Sequence, residues 1–269
     1  MRSSPREESS YQRHPIFDPR RPLWFLLHLV IMLVGVSCAL VGNAWLQAVG
    51  ASLVAAGIAG FVVYVYVARS ERIERGLDIL NRFGVHAVFP ARSVRIRSEY
   101  DERCRRMREH LDILGFGLSH LLEDHRDDFA DWKRRANVRI LAIDPDFPSS
   151  EFAYAQQRDL EENSQRGRIR QDVVNLYQAL KPLIGSDGGK TFEMKLYRCL
   201  PSINIFRIDD VVLWGPYFMY QASRNTPTFL ITQDGLLFDR IMGHFEAIWK
   251  DPKLSVPPTA LEQTVAEED

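Results

Sequence analysis

The sequence has little that would hold a fold together covalently or draw a strongly charged partner. Its three cysteines, Cys38, Cys104 and Cys199, lie far apart with no C-x-x-C pair. An odd, scattered set excludes a disulfide framework and fits a reducing compartment. No metal site and no cofactor is expected. The formal net charge is −1 over 269 residues, so no global field selects nucleic acid, and no specific nucleic-acid partner is expected. Lysine is scarce, 6 against 28 arginines. That bias has two readings: the base composition of the gene, or phosphate recognition, for which the planar guanidinium fork is better suited than an ammonium group.

Complete nucleotide and metal motifs are lacking as well. "LGFGLSH" places Gly115 and Gly117 between a strand and a helix, but His120 occupies the third glycine position of a dinucleotide fingerprint. "GSDGGKT" ends like a phosphate-binding loop, yet a strand-like run follows it, so no helix N-terminus would face a phosphate. It reads as a turn. "HLLEDH" sets His120 and His125 five apart, about 140° apart on a helix, where a helical zinc site needs both on one face.

What the chain does have is a long apolar run. Pro22 to Ala68 holds no Asp, Glu, Lys or Arg. One span needs roughly 20 residues, so the run predicts two. "NAWLQAVG" (43–50) supplies the break, giving a transmembrane hairpin over about 22–42 and 47–68. Arg13, Arg20 and Arg21 precede it, Arg69, Arg72 and Arg75 follow it, and the connecting loop has no Lys or Arg. This distribution predicts a multi-pass protein of the inner (cytoplasmic) membrane with both termini cytoplasmic. A cleaved signal peptide is not expected, because its apolar core is shorter. Ser52, Ala56 and Gly60 form a stripe of small residues on the second span, and Gly35 with Ala39 a shorter one on the first. Such stripes let helices approach closely in lipid, either within one hairpin or between copies in a homo-oligomer.

Around the hairpin, residues 1–21 read as a disordered cytoplasmic tail and 69–84 as a juxtamembrane helix with Ile73, Leu77 and Leu80 on one face. Residues 85–250 read as one α/β domain. Leu111 to Asp144 is a β-α-β unit, which favours parallel pairing. Four strand-like runs follow Thr191, and "GLLFDRIMGHFEAIWK" closes the domain as an amphipathic helix. The expected fold is a mixed sheet sandwiched by helices. Residues 251–269, polar and acidic, read as a disordered tail. The arginine clusters 92–97, 103–108 and 166–170 could coat a surface or converge on an anion.

"PSINIFRIDDVVLWGPYF" (201–218) carries a further pattern: polar residues before an apolar run, an acidic pair, then a second run ending in Gly-Pro. With "LDILGFGLSHLL" and "VRILAIDPD" before it and "HFEAIW" after it, it resembles the phospholipase D-like superfamily over about 85–250. The resemblance implies a His-x-Lys-x4-Asp motif followed by Gly-Ser. Its frame puts Ser202 at the His position, Asn204 at the Lys position, Asp209 at the acid and Gly215-Pro216 at Gly-Ser. A serine without a base is a poor nucleophile, and a neutral amide cannot neutralise a phosphate. The resemblance therefore implies a catalytically inactive domain that keeps hydrogen-bonding groups for a phosphate-containing ligand or nucleotide messenger. Ser202, Asn204, Asp209, His120, Arg166 and Arg168 are its candidate binding residues. The layout of two spans plus a sensor is similar to that of bacterial antiphage effectors controlled by nucleotides. Two alternatives stay open: an active membrane-tethered phosphodiesterase using His120, and a passive scaffold that binds protein through its arginine-rich surface.

Overall fold

The structure is a computed structural model and describes residues 20–91, 94–259 and 261. The expected tail over 1–21 lies outside the described residues except for its last two positions. The chain divides into two compact units, residues 1–77 and 78–269.

The first unit contains two helices, α1 (Arg20–Ala39) and α2 (Ala44–Phe83), of which α2 runs on past the unit's end. Their contact is made by glycine. A Cβ at Gly35 would lie 2.9 Å from the Gly50 carbonyl oxygen, and one at Gly50 would lie 2.6 Å from the Ala39 nitrogen. Met32 and the His28 ring occupy the space beside Gly57 and Gly60. Bare backbone at these positions is what lets the helices approach. The small-residue reading is thus redrawn: Gly35, Ala39 and Gly60 lie at the contact, whereas Ser52 and Ala56 are exposed on another face of α2. His28 points its Nδ1 at the Trp24 carbonyl oxygen, 2.8 Å away. One segment, Ala44–Val67, is long and apolar enough to cross a membrane, and the apolar part of α1, Leu23–Ala39, is shorter. A pair of spans is therefore a finer statement than these helices establish.

The second unit is a mixed α/β fold, as the sequence predicted. It adds strands β1 (Val85–Phe89), β2 (His110–Gly115), β3 (Asn137–Ile143), β4 (Gly185–Asp187), β5 (Lys190–Tyr197), β6 (Ile203–Ile208), β7 (Val211–Pro216), β8 (Thr228–Thr232) and β9 (Ser255–Val256). Helices α3 (Val94–Arg106), α4 (Ser119–His125), α5 (Phe129–Arg135), α6 (Tyr154–Glu161), α7 (Arg168–Leu180) and α8 (Leu236–Lys250) lie between them. The strands form one sheet in the order β1-β8-β7-β6-β2-β3-β5-β4, with β9 also on β5. β2, β3 and β5 are parallel, as a β-α-β unit requires, and β6, β7, β8 and β1 continue antiparallel. "GSDGGKT" is the turn of the β4–β5 hairpin, with Gly188 and Gly189 at φ 55° and 83°. The segment after 251, expected to be unfolded, instead carries β9, which pairs Val256 with Leu196; residues 260 and 262–269 lie outside the described ones.

Side chains alternate across the sheet, and each face buries a different partner. On one face Tyr100 of α3 meets Phe206 edge to face, with ring centroids 4.7 Å apart. On the other, α8 lays Phe245 and Trp249 under the guanidinium of Arg139, and Trp249 under Lys195. That face holds a buried ion group. Asp112 is fully buried and accepts hydrogen bonds from Arg139 Nε at 2.6 Å and Arg207 Nη1 at 3.1 Å. Asp112 stands directly opposite Arg139 on β3 and Arg207 on β6. Arg139 also reaches Glu246 of α8 at 2.7 Å. Burial alone would push the Arg139 pKa down, but its hydrogen bonds to Asp112 and Glu246 outweigh this and raise it.

Removing one partner of a buried ion group leaves the others uncompensated, which costs about 3–5 kcal/mol. Asp112→Asn should lower the urea-unfolding stability of the full chain by that order. A loss below about 1 kcal/mol, the scale of an exposed pair, would mean that the group does not hold the three strands in register.

Candidate functional site

A cleft of about 490 Å³ opens at the carboxyl end of β2, within the size range of small-ligand pockets. β2 has a parallel neighbour in β3 and an antiparallel one in β6. The cleft thus lies where the sheet changes from parallel to antiparallel pairing. The floor is Ile113, Gly115, Asn204 and Phe206; the walls include Phe116, His120, Arg168, Asp172 and Tyr217. Gly117 lets the loop after β2 pass α7, because a Cβ there would sit 2.8 Å from the Asp172 Cβ. Leu118 turns the chain into α4 at φ 55°.

Of the candidates named from the sequence, the cleft brings together His120, Arg168 and Asn204. His120 is on α4, and its Nδ1 is 2.9 Å from a Glu123 carboxylate oxygen. Arg168 begins α7 and is half exposed, 3.3 Å from Ser164 Oγ and 3.9 Å from the Asp172 carboxylate. Asn204 is buried and donates from Nδ2 to the Gly215 carbonyl at 3.0 Å, across the β6–β7 pair. Gly215 itself leaves no room for a side chain, since a Cβ would come 2.6 Å from the Pro227 carbonyl oxygen.

The remaining candidates lie elsewhere. Ser202 is exposed just before β6, where its carbonyl accepts the Tyr217 N–H at 3.1 Å. Arg166 bonds Gln156 at 2.8 Å and is not part of the cleft lining. Asp209 sits at the far end of β6, about 16 Å from Asn204 at roughly 3.3 Å per strand residue. It turns the chain at φ 51° and accepts the backbone N–H groups of Arg108, Glu109 and His110, each at 2.9 Å. Its role there is to cap the connection from α3 into β2.

Several residues in and behind the cleft wall gave no signal in the sequence. Arg158 of α6 is 3% exposed; it pairs with Glu161 and Glu162 and donates to the carbonyls of Phe218 at 2.9 Å and Gln221 at 2.6 Å. Its guanidinium also lies 5.3 Å from the Tyr217 ring, which stands edge to face with Phe116. Arg158 thereby fixes the loop that forms the cleft's rim. In sequence, "QQRDLEEN" looks like a solvated helix with i,i+4 pairs. Asp159, 1% exposed, accepts the N–H groups of Gly167 and Ile169 and caps α7. Burial raises its pKa despite those bonds. The Tyr100 hydroxyl is buried beside the cleft with no hydrogen-bond partner among the described residues. No group of three or more His, Cys, Asp or Glu suited to a metal ion occurs among the described residues.

No family model matches the chain, and no curated protein matches it. Among solved structures it is similar to the archaeal chromatin protein TrmBL2, described as showing a novel mode of DNA binding, at 13% identity and a TM-score of 0.38. The likeness covers 74% of this chain and 69% of that one. The partner expectation that set nucleic acid aside is corrected on this finding. Net charge near zero describes a whole surface, whereas nucleic acid is bound by local arginine and lysine contacts, so the exclusion is withdrawn. At this identity and score the likeness carries no argument for DNA binding by this chain.

Burial is the main cause that raises the Asp172 pKa, with Arg168 acting against it. An acid raised in the folded state is penalised when ionised there and not when unfolded. The penalty is complete above the raised folded value and gone below the usual 3.8. Asp172→Asn should therefore raise the melting temperature at neutral pH, with the gain shrinking as pH falls through the raised value toward 3.8. A gain unchanged by pH would assign the effect to packing.

Proposed function

We propose that the protein is a membrane-anchored, non-catalytic sensor of phospholipase D-like type, whose α/β unit binds a small phosphate-bearing ligand in the cleft at the end of β2. The observation that carries this reading is the convergence of Arg168, His120 and Asn204, from three separate elements, on one cleft with aromatic walls. Arg168 is the phosphate-binding group. Its hold on Asp172, at 3.9 Å, is loose, so a phosphate can take over the guanidinium. Phe116 and Tyr217 offer ring faces to the organic part of the ligand. Anchoring rests on Ala44–Val67, and the glycine contacts between α1 and α2 favour insertion of both helices as a multi-pass hairpin. The covalent link from that anchor to the sheet is one helix, α2, followed directly by β1.

Catalysis is set aside because the positions that would supply nucleophile and cation in the phospholipase D-like frame hold Ser202, which is outside the cleft, and Asn204, which bonds the backbone. One observation favours the enzyme alternative: Glu123 orients His120 from Nδ1, which is how a carboxylate prepares an imidazole. On that alternative a generic phosphodiester such as bis(p-nitrophenyl) phosphate is turned over by the full chain, and His120→Ala abolishes it.

The binding reading is tested by calorimetric titration of the full chain in detergent with adenosine monophosphate, a probe with a planar ring and a phosphate. A hydrogen bond to a charged group contributes about 1.5–3 kcal/mol, so Arg168→Gln should weaken binding by about tenfold or more with the melting temperature unchanged. Equal affinity in the variant would place the phosphate elsewhere.

A further inference from the structure

α2 carries a second face, distinct from the one that meets α1. Val63, Tyr66, Ser70, Ile73, Leu77 and Leu80 recur at alternating steps of three and four. Upstream, Ser52, Ala56 and Ala59 keep the same phase. This is the seven-residue repeat of a helix that pairs lengthwise with another helix. At 100° per residue it lies about 100° around α2 from the glycines that pack against α1. Its large members are open: Val63 is 60% exposed, Tyr66 74%, Ile73 56% and Leu77 51%.

Lipid can cover the part within Ala44–Val67, but the repeat does not stop there. It continues through Arg69–Leu80, where the positions between its members are mostly charged. Among the described residues nothing covers the apolar stripe there, and a second chain is what can bury it. The flanking charges say which chain. In a parallel pair, the residue before one seam position meets the residue five further on in the partner helix. Here that sets Arg69 against Glu74, opposite signs, in both directions across a two-fold axis. Glu74 meanwhile accepts from its own Ser70 at 3.1 Å, and Arg69 is exposed. An antiparallel pair would lose this match. We infer that α2 is the self-association element of the protein: a second copy packs against it in parallel along the Val63–Leu80 seam. This inference stands apart from the cleft and its ligand.

Single cysteines in the full chain in membranes, in a Cys38→Ser/Cys199→Ser background that leaves the buried Cys104, test it directly. A parallel, in-register pair brings the same residue of two copies together all along the seam, so Ile73→Cys and Leu77→Cys should both cross-link. An antiparallel pair does so only at its crossing point. Mild oxidation should give a disulfide-linked dimer with Leu77→Cys and none with Ile79→Cys, which points away from the seam. Glu74→Arg should weaken self-association by about tenfold, as two attractive pairs become repulsive, and Arg69→Glu/Glu74→Arg should restore it. Equal cross-linking at positions 77 and 79, or at neither, would overturn the proposal, as would a double reversal that fails to restore association.

Discussion

Asp112 has no solvent to share its charge, and it is tolerated only because two guanidinium groups converge on it from the strands on either side. Desolvating three charges is costly, and the ion group offsets that cost only in one geometry. That geometry requires Asp112 opposite Arg139 on one neighbour and opposite Arg207 on the other. A slip of one residue on any of the three strands would turn a charge into the opposite layer, among Leu111, Ile113 and Phe206. The group therefore sets the register where the parallel half of the sheet meets the antiparallel half. The cleft opens at the end of that same junction, so its floor residues are placed by an interaction on the opposite face of the sheet.

Most polar groups around the cleft are committed to holding it open. Arg158 ties the rim loop to α6, Asp159 caps α7, and Asn204 bonds across β6 and β7. Asp209, which the frame of the motif singled out, does comparable work at the other end of β6. These residues are polar and buried because backbone groups in loops and at helix ends need partners. Arg168 and His120 differ: both are about half exposed, Arg168 held by Ser164 and loosely by Asp172, and His120 by Glu123.

α2 presents two unlike faces. Glycines admit α1 at van der Waals distance, and no larger residue would fit. The larger side chains of the seven-residue repeat are turned elsewhere and remain exposed. Close approach and side-chain interdigitation are alternative ways for helices to pack, and one helix can use both when the stripes are separated around its axis.

How much of this was legible in the sequence follows from the range of the interactions involved. The apolar run, the β-α-β unit, the later strands and the helix α8 were readable because periodicity reflects the local surroundings of each residue. The parallel pairing of β2 with β3 followed from the length of the connection. The role of Arg158 was hidden, because its partners at Phe218 and Gln221 lie some sixty residues away and its near neighbours imitate a solvated helix. Asn204 and Asp209, five residues apart in the chain, looked like parts of one site, yet an extended strand carries them to opposite ends of the sheet. The order of residues determined which segments became helix, strand or apolar run. Only the tertiary structure decided which polar groups share a cleft, because that depends on strand order and register, which are set by contacts between residues far apart in the chain.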